Sequence, residues 1–273
     1  MAKKRTWHLH LFLIFFTFLT VFPVYWVVQI AFSPGNELPA EFRLIPEEIT
    51  LKNFRHLLFD KPFFHWLLNS VVISLSTTLV GIFLAATAGY AFSRFQFPGK
   101  KTGLMAFLVT QMFPGTMMMI PLYIILDKLN LVDTMAGLIL VYSTTSIPFS
   151  VWMLKGYFDT IPRDLEEAAL IDGASRSLIF WKLILPLSRP AIAITGLFSF
   201  MTAWNEFILA ATFMNNELSY TLPVGLQQLV GQFSVEWGYF AAGSILVSIP
   251  VVVLFFLLQR HLVGGLTSGS VKG

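Results

Sequence analysis

The sequence predicts an all-α membrane protein with six transmembrane helices, on three observations. Of its 273 residues, 56% are hydrophobic and 12% charged, whereas soluble domains carry roughly 25% charged residues. The mean hydropathy is +0.72. The apolar residues gather into six runs, each near the ~20 residues that cross a hydrocarbon core.

The first run, Leu11–Phe32, follows Lys3, Lys4 and Arg5. It is longer than the apolar part of a signal peptide, and Pro23-Val24-Tyr25-Trp26 is no small-residue cleavage site, so it reads as a retained span. The next runs are Leu67–Phe92, Leu104–Leu126, Met135–Leu154, Ala191–Met214 and Gly238–Gln259. Pro114, Pro121, Pro148 and Pro250 are expected to interrupt them. Such breaks are tolerated where neighbouring helices or a water-filled path satisfy the backbone. Glu206 is the acid placed well inside a run, and with Asn205 it is a candidate for lining a translocation path. The competing expectation is a structural hydrogen bond to a neighbouring helix, made through Asn205.

Orientation follows from the basic residues. With the N-terminus in the cytoplasm, thirteen of the eighteen Lys and Arg fall on that side, among them Arg94, Lys100, Lys101, Lys155, Arg163, Arg176, Lys182 and Arg189. The acidic Glu37, Glu41, Glu47, Glu48, Asp60, Asp127, Asp133, Glu217 and Glu236 fall outside. Both termini and the polar segment Asp164–Pro190 are therefore expected in the cytoplasm. The chain divides into residues 1–66 (tail, first span and first external loop), a core at 67–260 with five spans and the polar loop 160–190, and a cytoplasmic tail at 261–273.

The polar segment is built to be helical. Asp164, Glu166 and Glu167 follow Thr160 and Pro162, where carboxylates suit the positive end of a helix. Leu165, Ala168, Ala169 and Asp172 share a face at helical spacing. Gly173 is a helix stop. A second helix is expected from Ser175 to just before Pro186, with Leu178, Ile179 and Leu183 apolar.

Glu167-Ala168-Ala169, three residues, Gly173, nine residues, then Leu183-Ile184-Leu185-Pro186 resembles the EAA loop of binding-protein-dependent ABC importers, with Leu183 where isoleucine is usual. Ile49–Leu58, Leu68–Ser74, Gly89–Lys100 and Ile161–Ser175 resemble the sugar-importing branch. Tyr220–Ser244 and Gln259–Gly273 are similar to the smaller permease of maltose and maltodextrin transporters. Permeases for trehalose, other oligosaccharides or glycerol phosphate share much of this pattern.

The resemblance implies a type I importer permease in the cell membrane. It implies a heterodimer with a second permease, two ATPase subunits holding ATP and Mg, and an extracytoplasmic sugar-binding protein. Glu166, Glu167, Ala168, Ala169, Asp172, Gly173, Leu185 and Pro186 would dock on the ATPase, with Ser268, Gly269 and Lys272 of the tail touching it as well. In maltose-type systems the partner permease holds most of the sugar.

The residues exclude other classes. The chain has no cysteine, which removes disulfides and thiol chemistry. Gly99-Lys100 lacks the remaining residues of a phosphate-binding loop, so no ATPase and no cofactor is expected on this chain. No HExxH, GxSxG or Asp/His cluster suggests an intramembrane enzyme or a metal site. One membrane acid and no repeat argue against an ion-coupled carrier. A net charge of +3, spread over membrane flanks, carries no nucleic-acid signal.

The segment Asn215–Trp237 alternates Gln227, Gln228 and Gln232 with Leu222, Leu226, Leu229 and Phe233. The four apolar residues fall on one helical face. The segment reads either as a helix lying in lipid or as an external element contacting the binding protein through its glutamines.

Overall fold

The computed structural model describes residues 7–38, 48–231 and 235–268. Among these residues the regular structure is helical, apart from a single bridge between Val230 and Val235. In chain order the helices are α1 (Trp7–Phe32), α2 (Lys52–Phe59), α3 (Phe63–Arg94), α4 (Lys100–Met112), α5 (Met119–Lys128) and α6 (Met135–Thr160). They continue as α7 (Asp164–Ile171), α8 (Arg176–Ile179), α9 (Leu185–Leu187), α10 (Arg189–Trp204), α11 (Ile208–Phe213), α12 (Leu222–Gln227) and α13 (Trp237–Ser268).

Four helices are long and apolar enough to cross a membrane: α1, α3, α6 and the Trp237–Gln259 part of α13. Two further bent pairs bring the number to six if each is counted as one span. The third run of the sequence is thus not one helix, and Pro114 interrupts it as expected. α4 ends at Met112, and the chain turns by 98° before Gly115–Lys128. The cause is local: Phe113 precedes Pro114 and is extended, φ −79° and ψ 126°, because the proline ring bars helical geometry to the residue before it.

The fifth run is broken as well, where no proline marks it. α10 stops at Trp204, and Asn205–Phe207 separates it from α11. On its other side α10 is joined to the helical stretch Arg176–Leu187 at a bend of 77°. Ser188 forms that corner, fully buried, with Oγ donating to the Ile184 carbonyl at 2.7 Å. Pro186 does not stop the second helix as expected. A π turn at Phe180–Ile184 precedes it, and the helix carries on to Leu187. A wider turn absorbs the missing amide and the bulk of a proline ring. Pro148 and Pro250 likewise lie inside continuous helices, and Pro121 sits in the first turn of α5, where its missing amide costs nothing.

The chain forms two compact units. In the first, Ile30 and Ala31 of α1 pack with Ala241 and Ala242 of α13, flanked by Trp26 and Phe54. Asn53 of α2 is buried and donates to the carbonyls of Ala31 and Ser33, both at 3.1 Å, which satisfies acceptors left open at the end of α1. The remainder of α1 exposes phenylalanine and leucine on all sides, the surface of a helix meant for an apolar surrounding.

The second unit is built on α3, α6 and α10. One cluster gathers Ile73, Leu138, Val141, Tyr142, Leu209 and Phe213. Another gathers Ala85, Tyr90, Val151, Leu154, Phe158, Ile179, Phe180 and Ile184. Thr134 caps α6 by accepting the Gly137 amide at 3.0 Å. Small residues bring the helices together, as expected where packing rather than hydrophobic exclusion drives association in lipid.

Gly89 of α3 is the closest such approach to α6: a β-carbon there would lie 3.1 Å from the Lys155 nitrogen and 3.4 Å from the Val151 oxygen. Gly89→Val is expected to cost about 1–3 kcal/mol by overpacking. It should lower the unfolding midpoint of the detergent-purified protein more than Gly89→Ala does. An unchanged midpoint would mean that these two helices are not held together at this point.

Candidate functional site

The polar segment after α6 folds as two helical pieces around a glycine. α7 carries Asp164, Glu166 and Glu167 in its first turn. Its end is closed by two backbone bonds, Gly173 N to Leu170 O at 3.0 Å and Ala174 N to Ala169 O at 2.9 Å. This pair of bonds needs a left-handed residue between them, and Gly173 supplies it with φ +84°. Ser175 then caps the next helix by accepting the Leu178 amide at 3.2 Å.

The two sides of α7 have different surroundings. Leu165, Glu167, Ala168, Ile171, Asp172 and Gly173 are exposed. Ile171 is 87% exposed, an unusual place for an isoleucine without a partner. Ala169 departs from expectation: it turns inward with Glu166, three positions before it, and packs beside the Tyr90–Phe158–Phe180 cluster. Beyond the corner, Ile179 is buried, Leu183 and Leu185 pack partly on the same cluster, and Leu178 and Pro186 are exposed.

Glu166 is held by residues far away in sequence. Its Oε1 pairs with Arg94 Nε, and its Oε2 accepts from the Tyr90 hydroxyl at 2.7 Å. Arg94 also donates to the Ile161 carbonyl at 2.9 Å and to Ser93 Oγ at 3.1 Å. Ser93 Oγ donates to Asp159 at 2.6 Å, and Lys155 pairs with the other oxygen of Asp159 at 2.5 Å. The side chains of Arg94 and Glu166 are 6% and 12% exposed. Sequence reasoning missed Arg94 and Tyr90. Their one signal is a tyrosine and an arginine four apart on a helix, hence on one face.

The second candidate pair separates. Glu206 sits between α10 and α11, where its Oε1 accepts from Leu209 N at 2.8 Å and its Oε2 from Ala210 N at 3.0 Å. Tyr142 of α6 donates to the same Oε2 at 2.7 Å. A carboxylate at the start of a helix satisfies amides that have no partner within it. The bond to a neighbouring helix thus runs through Tyr142. Asn205 turns back to the Met201 carbonyl at 2.9 Å and is exposed. Gln111 of α4, overlooked in the sequence, donates to the Thr145 carbonyl at 3.0 Å.

Among the described residues of the segment after α11, a short 3-10 turn at Glu217–Ser219 precedes the α-helix Leu222–Gln227. Leu222, Leu226 and Leu229 are buried within the protein rather than facing outward, while Gln227 and Gln228 are exposed. The start of the segment is pinned by side chains of α3. Trp66 donates to Glu217 O at 2.9 Å, Asn69 to Leu218 O at 2.8 Å, and Ser70 Oγ accepts the Leu222 amide at 2.7 Å. Gln232 and Phe233 lie outside the described residues, as do Gly269 and Lys272; Ser268 ends α13.

This architecture has known counterparts. Residues 77–267 match the family described as binding-protein-dependent transport system inner membrane component. The galactooligosaccharides transport system permease protein GanQ of Bacillus subtilis (strain 168) is 39% identical over 97% of this chain and 94% of its own. The maltose/maltodextrin transport system permease protein MalG of Vibrio vulnificus (strain YJ016) is 38% identical over 99% of this chain and 97% of its own. Among solved structures, a chain of a bacterial ABC transporter involved in the import of the acidic polysaccharide alginate superposes with a TM-score of 0.81. It is 22% identical over 96% of this chain and 99% of that one. The fold is that of an all-helical ABC importer permease, and the chain belongs to the family of binding-protein-dependent transport inner membrane components.

The Glu206 cap gives a direct test. Tyr142→Phe removes one donor from the carboxylate and keeps the ring. Loss of a hydrogen bond to a charged group costs roughly 1.5–3 kcal/mol, so the unfolding midpoint in detergent should fall. An unchanged midpoint would leave the α11 amides as the sole support of Glu206.

Proposed function

We propose that this chain is one transmembrane permease subunit of an ATP-driven importer for carbohydrate, with maltose or maltodextrin as substrate. The observation that carries the reading is α7: a short helix with exposed Leu165, Ala168 and Ile171, followed by the Gly173 corner, in a chain of this family. An ATPase subunit receives that surface in a cleft, through Glu167, Ala168, Asp172 and Gly173, with Glu166, Ala169, Leu185 and Pro186 shaping the loop from within. ATP and Mg belong to the ATPase pair, and this chain has no catalytic role. The tail residues Ser268, Gly269 and Lys272 add a second contact to the ATPase.

A second, different permease completes the translocation path, to which this chain contributes Asn205 and Glu206. Gln227 and Gln228, with Gln232, meet an extracytoplasmic sugar-binding protein. Both termini and α7 lie in the cytoplasm of a cell whose inner or single membrane holds the complex. ATP binding draws the ATPases together and shifts the equilibrium between inward- and outward-facing permease. Galacto-oligosaccharide is the second substrate reading, supported by the 39% identity to the permease named for it.

Three measurements test this. Reconstituted with its partners, the chain should support uptake that needs ATP and ignores ion gradients, and the stimulating sugar identifies the substrate. Ala168→Asp and Gly173→Asp should abolish uptake while the protein still inserts. Ala168 is exposed, and a β-carbon at Gly173 meets nothing within 4 Å. The local cost is therefore the strained backbone at Gly173, about 1–3 kcal/mol, and the larger effect is the lost fit to the cleft. A cysteine at Ser175 should react with impermeant thiol reagents from the cytoplasmic side alone, and one at Asn215 from the outside alone. The opposite labelling would invert the topology.

A further inference from the structure

We propose that Arg94 is a positioning residue for energy transfer: it locks α7 to the ends of α3 and α6, so that movement of α7 is delivered to those two membrane helices. The inference rests on the reading that α7 receives the ATPase.

α7 has eight residues and hangs on linkers, Ile161–Arg163 before it and Asp172–Ser175 after it. A helix held in this way rocks on its own unless something grips its inner side. The central grip is the guanidinium of Arg94. Arg94 Nε pairs with Glu166 of α7, Nη2 donates to the Ile161 carbonyl in the linker after α6, and Nη1 donates to Ser93. Ser93 passes the connection to Asp159 near the end of α6. Arg163, at the start of α7, donates to the Ser93 carbonyl at 3.3 Å. A planar fork with several fixed donors holds three partners in one orientation, which a flexible ammonium does not.

The surroundings stiffen the link. Tyr90 fills the second oxygen of Glu166, and its ring packs against Phe95, Phe158 and Phe180. Arg176 covers the Phe95 ring, 5.2 Å from its centroid. A pair this buried is screened little by salt. At Gly89 α3 and α6 pack so closely that an added β-carbon would lie 3.1 Å from the Lys155 nitrogen, so the two helices respond to Arg94 together. A buried ion pair is weak evidence for stability, since apolar replacements often serve as well. What apolar residues do not reproduce is the fixed orientation of three elements.

The test uses the full transporter in proteoliposomes and reads three quantities: retention of the ATPase subunits, ATP hydrolysis, and sugar taken up per ATP. The double variant Arg94→Met/Glu166→Met removes both charges at similar volume. Normalised to the ATPase that this variant retains, its uptake per ATP should fall about tenfold, within the range for mutations along a coupling network. Arg94→Lys should fall in between. Unchanged uptake per ATP in the double variant would overturn the proposal.

A second arm serves if that variant fails to assemble. In Arg94→Cys/Glu166→Cys, a short reducible bridge between the thiols should restore uptake per ATP, and reduction should remove it again. Coupling indifferent to the bridge would also overturn the proposal. Failure of the docking reading itself looks different: Ala168→Asp would then transport normally, with Arg94 intact.

Discussion

Backbone amides and carbonyls that cannot reach water must find partners within the protein, and most of this structure follows from that requirement. A chain with so apolar a composition meets it with helices, whose bonds are internal to each segment. The informative places are those where the helices stop. At Phe113–Pro114 the ring geometry of proline ends a helix that composition alone would continue. At Ser188 a hydroxyl bonded to the Ile184 carbonyl closes a corner. At Glu206 a carboxylate collects two amides of α11. Each break is paired with a side chain or a turn that takes up the freed groups.

The same requirement explains why the α7 segment can stand apart from the apolar bundle. Its last carbonyls are satisfied by the turn around Gly173, its next amides by Ser175, and its inward carboxylate by Arg94 and Tyr90. It exposes Leu165, Ala168 and Ile171. A small, rigid surface with exposed apolar residues suits docking into a cleft, where little conformational freedom remains to be lost. The inner side of the same helix is tied to α3, and the loop after α11 is tied to α3 as well, through Trp66, Asn69 and Ser70. That single long helix therefore anchors two of the segments in which sequence reasoning placed function.

Much of this was legible in the chain. The apolar runs located α1, α3, α6 and α13. The acidic first turn and the glycine located α7 and its corner. Other features were not. Leu104–Leu126 and Ala191–Met214 are apolar enough to read as single spans; Pro114 marked the break in the first, but hydropathy shows neither the size of its bend, 98°, nor the end of α10 at Trp204. Pro148 and Pro250 suggested breaks that do not occur, while Pro186 is absorbed by a π turn. Ala169 shares the composition of Ala168 yet faces the other way. The leucines at 222, 226 and 229 have helical spacing, but they are buried and the helix ends at Gln227.

Sequence by itself determined the class of the protein: an apolar chain must be helical in lipid, and the acidic first turn and Gly173 placed α7 and its corner by local chemistry. Local rules extend over a turn or two of helix, because propensity, capping and proline sterics act between near neighbours. Only the tertiary structure decided which side of α7 is free, because that depends on Arg94 and Tyr90, more than seventy residues away. It likewise gave Glu206 to a helix cap and Tyr142. A partner chosen by three-dimensional packing leaves no periodic trace in the residues beside it.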